Sequence, residues 1–151
     1  MVVVTGPEGS GTGVMTALLR WAGVVDARHR SMPYAGTWWD GEDPESGIPW
    51  PDGTLFVIVH RRPDVRNLAL LGRKPSLAES IEEARAQYDR ALRRLAAIPD
   101  AFWVEYGAIV REPLVQVANV CRWLGVPAPS EPPDFVYDAD AKWLSVLEPR
   151  G

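Results

Sequence analysis

Short apolar runs alternate along the chain with segments in which apolar residues recur at helical spacing. The apolar runs lie at residues 2–5, 55–59 and 101–106. Continuous apolar runs of this length, bounded by turn residues, are typical of strands buried on both faces of a parallel sheet. A further pair of valines, Val24 and Val25, is predicted to begin another short strand.

Between these runs, apolar residues recur every three or four positions, which predicts helices. The first two predicted helices cover 14–21 and 64–71. A third, longer helix opens with a capping box at 76–79 and closes before Pro99, and a fourth begins at Pro113. Glycines are predicted to end three of them: Gly23, Gly72 and Gly125. Strands that alternate with helices imply parallel pairing with right-handed crossovers. The sequence therefore predicts one α/β domain over residues 1–151.

The segment 31–53 is predicted to be a long irregular loop because proline and glycine are dense in it. Aromatic residues argue against disorder there, since large rings seek burial. Two interpretations stay open. The tryptophans form a lid that stacks on an adenine or an aromatic acceptor, or they cover an exposed edge of the core. The aromatic residues are Tyr34, Trp38, Trp39 and Trp50.

Composition narrows the class of protein. The chain has 151 residues, of which 46% are hydrophobic and 24% charged, with a formal net charge of −4. This acidic balance argues against a nucleic-acid partner. Cys121 is the sole cysteine, so no internal disulfide forms, and the sequence shows neither a signal peptide nor a membrane span. We expect a soluble cytoplasmic protein with no metal site; homo-oligomerisation stays open.

The segment 6–13, GPEGSGTG, carries the clearest chemical signal. Four glycines in eight residues let a strand-to-helix connection turn tightly and point backbone N–H groups inward. The helix that follows adds the positive end of its dipole. The segment is therefore predicted to bind an anion; the alternative is a plain tight turn.

The same segment departs from the Walker A pattern of ATPases and GTPases, G-x-x-x-x-G-K-[ST]. Gly6 and Gly11 match in spacing, but Thr12 occupies the lysine position and Gly13 the position of the Mg²⁺-binding hydroxyl. The cation for the β- and γ-phosphates and a metal ligand are both missing. ATP or GTP hydrolysis is disfavoured, whereas anion binding by backbone amides is retained.

Gly6 with Ser10-Gly11-Thr12 resembles the 5′-phosphosulfate loop of sulfotransferases, which transfer a sulfuryl group from 3′-phosphoadenosine-5′-phosphosulfate (PAPS) without a metal. Four further segments resemble that family in the right order. The first, at 61–64, is similar to the element whose arginine holds the 3′-phosphate. The four segments lie at 61–64, 103–106, 111–113 and 120–127.

The resemblance implies a three-layer P-loop-type parallel sheet flanked by helices, a PAPS cosubstrate, an unknown small-molecule acceptor and no metal. The residues expected to bind the cofactor are Gly6, Gly9, Ser10, Gly11, Thr12, Gly13, Arg61 and Arg62. The residues expected to act in catalysis are His60, Ser10 and Thr12, with His60 as a general base if it faces the loop.

Departures from the family pattern bear on catalysis more than on fold. Gly9 stands where the family has a lysine or arginine, and Ala69 stands where it has a serine. Lys142 is a candidate for the missing cation, Glu8 is a further candidate base, and His29, which precedes the aromatic loop, is a candidate for an unspecified role. Two alternatives remain: a P-loop enzyme acting like a nucleotide or phosphosubstrate kinase, and a catalytically inactive binding protein of the same fold.

Overall fold

The computed structural model describes residues 1–32, 41–43, 45–73, 78–136 and 147. Predictions that rest on Tyr34, Trp38, Trp39, Ser76 and Lys142 lie outside them. The elements in chain order are β1 (Val2–Pro7), α1 (Thr12–Trp21), β2 (Ala27–Met32), β3 (Leu55–His60), α2 (Pro63–Arg73), α3 (Ile81–Leu95), β4 (Phe102–Glu105), α4 (Tyr106–Arg111) and α5 (Pro113–Leu124).

The four strands form one parallel sheet in the order β2-β1-β3-β4. Side chains alternate between its two faces. Val57 and Val59 pack with Val4 on the face covered by α1 and α5. Ile58 points to the opposite face, where it packs against Leu95 of α3. The predicted α/β architecture, with helices on both faces of a parallel sheet, is confirmed.

The connections leave β1 and β3 in opposite directions. From β1 the chain crosses through α1 to β2 at the edge of the sheet, and from β3 it crosses through α2 and α3 to β4 at the other edge. Adjacent parallel strands whose connections diverge leave a crevice at their carboxyl ends, where ligands bind in open α/β sheets. The segment 6–13 and the residues after His60 both lie at this crevice.

The prediction of a strand at Val24 and Val25 is wrong. Val25 is 85% exposed, and the strand begins at Ala27. The sequence of β2, ARHRSM, is mostly polar because, among the residues that the structure describes, this strand lies at the edge of the sheet and pairs with β1 alone. An edge strand lacks the continuous apolar pattern that marks a buried one.

Three predicted boundaries are also wrong. Gly72 does not end α2, which continues through Arg73, and Tyr106 begins α4 instead of ending β4. The long helix is capped by Ser80, whose Oγ accepts the N–H of Glu83 at 3.1 Å. A Ser-x-x-Glu pattern occurs twice in succession, and the helix begins at the second occurrence.

Replacing Ser80 with alanine removes an acceptor for an otherwise unpaired N–H group at the start of α3. We expect Ser80→Ala to lower the free energy of unfolding by about 1 kcal/mol, measured by urea denaturation. Ser80→Asp retains the cap and is the matched control, expected to unfold like the parent. Equal stability of the alanine variant and the parent would contradict the assigned cap.

Candidate functional site

The connection from β1 to α1 is a tight turn of four residues, 8–11. Gly9 has φ 80° and Gly11 φ 91°, in the left-handed region that side chains rarely adopt. The N–H of Ser10 closes the turn by donating to the Pro7 carbonyl at 3.1 Å. Two of the glycines predicted to matter are thus required by the backbone conformation.

Close packing requires glycine at two positions of this segment. A Cβ at Gly6 would overlap the Val59 carbonyl oxygen, and a Cβ at Gly11 would overlap the ring of Tyr106. Gly13 has open space around it. The turn is therefore pressed against β3 and against the start of α4.

Backbone donors at the start of α1 have no protein acceptor among the residues that the structure describes. The first bond of the helix is donated by Met15 to the Gly11 carbonyl, so the preceding N–H groups are left over, as at any helix N-terminus. These N–H groups also lie at the positive end of the α1 dipole. Within the described ranges, the donors without a protein acceptor are those of Gly9, Gly11, Thr12, Gly13 and Val14.

Two buried guanidinium groups hold the carbonyls of the turn. Arg66 donates from Nε to the Glu8 oxygen at 2.8 Å, and Arg61 donates from Nη1 to the Gly9 oxygen at 3.0 Å. Arg66 is 0% exposed and Arg61 2% exposed. Because C=O and N–H point in opposite directions across a trans peptide, the N–H of Gly9 points away from Arg66.

Arg66 is fixed from several sides. Its Nη1 donates to the carbonyl of Ala84 at 2.8 Å and to Oδ1 of Asn67 at 3.0 Å, and its guanidinium lies 5.0 Å from the centre of the Tyr88 ring. Burial lowers the pKa of Arg66 to about 10, so the side chain stays cationic at neutral pH. A positive charge is thus held beneath the turn.

A cavity of about 250 Å³ opens beside the turn. Arg61 reaches it from the end of β3, with its guanidinium 4.6 Å from the centre of the Tyr106 ring. Ser10 does not line the cavity; it is fully buried next to the Tyr88 hydroxyl. The lining residues are Glu8, Gly9, Gly11, Thr12, Gly13, Val14, His29, Arg61, Ala69 and Leu70.

Three polar side chains form a closed hydrogen-bonded triangle at this cavity. Oγ1 of Thr12 lies 2.6 Å from Nε2 of His29 and 3.0 Å from Oγ of Ser31, and the last two atoms are 2.9 Å apart. The parallel register brings β2 alongside the turn, with Gly6 opposite Ser31. Partial removal of the His29 ring from water lowers its pKa, an effect opposed by the negative charge of Glu8.

His60, predicted as a general base, is not among the residues that line the cavity. Its ring packs against Trp103, with centroids 6.0 Å apart. Burial lowers the pKa of His60, while nearby Glu105 raises it. Because His60 and Ile58 are two residues apart on β3, their side chains share the face that packs against α3.

Arg62 and Trp50 lie away from the cavity. Arg62 is exposed at the strand end, where its Nε lies 2.8 Å from a carboxylate oxygen of Asp64. Trp50 packs edge-on against Phe56 in a cavity of about 450 Å³ at the amino-terminal end of the sheet. For Trp50 this position favours the interpretation that the ring covers an exposed edge of the core, and not the interpretation that it forms a lid on a ligand.

No protein-family model matches this chain, and no curated protein matches it in sequence. None of the helices in the described ranges is long and apolar enough to cross a lipid bilayer. Among the same residues, no three His, Cys, Asp or Glu side chains are grouped so as to hold a metal ion.

The two loop glycines with opposite surroundings give a paired test. Gly11→Ala forces a Cβ into the Tyr106 ring at a left-handed φ, so we expect a loss of about 3 kcal/mol in the free energy of unfolding. Gly13→Ala adds a methyl in open space within α1 and should gain roughly 0.5–1 kcal/mol. Chemical denaturation measures both. Similar effects of the two substitutions would show that the turn is not packed as described.

Proposed function

We propose that this chain binds a phosphate- or sulfate-bearing nucleotide through the segment 6–13, without a metal, as a P-loop-type protein. The observation that carries the proposal is the row of backbone N–H groups at the start of α1, from Gly11 to Val14, that have no acceptor among the described residues and border a cavity. An oxyanion supplies acceptors to such donors and is favoured by the helix dipole. The cationic guanidiniums of Arg61 and Arg66 add attraction from beneath the turn.

The proposed reaction is transfer of a sulfuryl group from PAPS to a hydroxyl acceptor. The resemblance of Ser10-Gly11-Thr12 and of residues 61–64 to sulfotransferase segments supports this choice over phosphoryl transfer. Thr12 and Gly13 in place of the Walker A lysine and hydroxyl support it as well, because a kinase depends on both groups for its Mg²⁺-nucleotide. The loop amides would stabilise the charge that develops on the leaving phosphate.

Binding without catalysis is the second candidate, and the position of His60 favours it. The side chain predicted to act as the base packs against Trp103 instead of lining the cavity. If no other base serves the acceptor, the site binds its nucleotide and does not turn it over.

Thermal unfolding with and without nucleotides separates these functions. We expect 3′-phosphoadenosine-5′-phosphate to stabilise the protein in EDTA, because amide donors need no metal. At roughly 100 times its Kd the ligand adds about 2.7 kcal/mol, a rise in Tm of roughly 5–10 °C for a domain of this size.

Ser80→Asp, at the start of α3 and outside the cavity lining, is the folded control in the same assay, and Gly11→Ala is the loop-disrupted control. The parent and Ser80→Asp should respond to the ligand, and Gly11→Ala should not. Stabilisation by ATP alone and only with Mg²⁺ would favour the kinase-like function. No stabilisation by any nucleotide would reject a nucleotide-binding loop.

A further inference from the structure

We propose that His29 takes up a proton when an oxyanion binds at the start of α1, so that the imidazolium becomes a cation of this site. The Thr12 hydroxyl connects the two, because it donates to the anion and accepts from the His29 imidazole. This inference rests on the proposed anion site and adds a residue to it. In this role His29 supplies the charge that the loop lacks, since Gly9 and Thr12 stand where related loops carry lysine or arginine.

The argument begins with the Thr12 hydroxyl, which has one hydrogen to donate. Its Oγ1 lies 2.6 Å from Nε2 of His29, and Thr12 also begins α1 beside the unpaired amides. An oxyanion such as sulfate accepts hydrogen bonds and has none to donate. When the anion is bound, the Thr12 hydroxyl donates to it, so the 2.6 Å contact with His29 remains a hydrogen bond only if the Thr12 oxygen accepts from Nε2.

That exchange requires a hydrogen on Nε2 of His29. Ser31 shares the same two partners, at 3.0 Å from Thr12 and 2.9 Å from Nε2, so its hydroxyl can reorient with them. A neutral imidazole with its hydrogen on Nε2 completes the geometry, and a protonated one completes it while adding a positive charge next to the anion. Coulomb attraction between the imidazolium and the neighbouring anion favours the protonated form.

The charges around His29 allow a bound anion to raise its pKa. The charged groups that act on the imidazole come from every neighbouring element: Glu8 from the turn, Arg20 from α1, Arg30 from β2 and Glu45 from the connection between β2 and β3. Two are negative and two positive, so their effects oppose one another. Without a ligand, partial burial lowers the pKa of His29, which favours the neutral imidazole.

The direction of the pH dependence follows from the two states of His29, neutral without the anion and protonated with it. An anion that raises the His29 pKa binds more tightly as the pH falls through the range in which His29 titrates. Sulfate is the appropriate probe because it remains a dianion throughout this range, whereas a phosphate monoester itself titrates near pH 6. We expect sulfate affinity to be higher at about pH 5.5 than at about pH 8, by about twofold or more.

The test is an NMR titration of the two histidines in the full chain, His29 and His60, with and without saturating sulfate. We expect sulfate to raise the pKa of His29 by roughly 0.5 unit or more, a change of at least threefold in protonation equilibrium. His60 lies against Trp103 outside the cavity and is the internal control, expected to keep its pKa. The same spectra report the backbone amides of residues 11–13.

Variants give an independent readout. His29→Gln keeps a hydrogen-bond donor for Thr12 without a titrating charge, so its sulfate affinity should be independent of pH. His60→Gln should retain the pH dependence of the parent. His29 lies on an exposed edge strand, so folding of the glutamine variant is checked by its amide spectrum.

Each outcome decides a different claim. If sulfate shifts the amides of residues 11–13 but leaves the His29 pKa unchanged, or if His29→Gln keeps the pH dependence, the role of His29 is refuted and the anion site stands. If sulfate shifts none of these amides at either pH, the anion site fails and the role of His29 fails with it.

Discussion

The site depends on two buried arginines that hold the carbonyl oxygens of a glycine turn. Arg66 and Arg61 are buried and donate to the carbonyl oxygens of Glu8 and Gly9, respectively. A buried guanidinium is costly unless its donors are satisfied, so the turn and the arginines stabilise each other. With these carbonyls turned toward the guanidiniums, backbone donors that have no acceptor in the described part of the chain and a positive field remain at the crevice between β1 and β3.

Local sequence was sufficient to predict this crevice. Gly6, Gly9 and Gly11, which need a left-handed φ or close packing, lie within one short segment, and the two buried strands are continuous apolar runs. The order of strands and helices then places residues 6–13 and Arg61 at the same end of a parallel sheet. The hydrogen bond from Arg61 to Gly9 confirms that the two segments meet there.

Features that depend on the three-dimensional arrangement were not predictable in the same way. β2 was missed because an edge strand carries polar residues, and the contact of Thr12 with His29 and Ser31 exists only through the register of that strand. Arg66 has the sequence pattern of a solvated helix residue because two of its acceptors, Glu8 and Ala84, come from distant positions. The position of His60 after an apolar run predicts a side chain at the crevice, whereas side-chain alternation along β3 directs it toward Trp103.

The most direct measurement is a crystal structure of the parent protein soaked in selenate, a heavier analogue of sulfate, with the anion located by the anomalous scattering of selenium. The account predicts a peak within hydrogen-bonding distance of the backbone nitrogens of Gly11, Thr12 and Gly13, with no metal beside it. Selenate bound elsewhere on the protein with no peak at the turn, or those nitrogens bonded to protein acceptors, would contradict it.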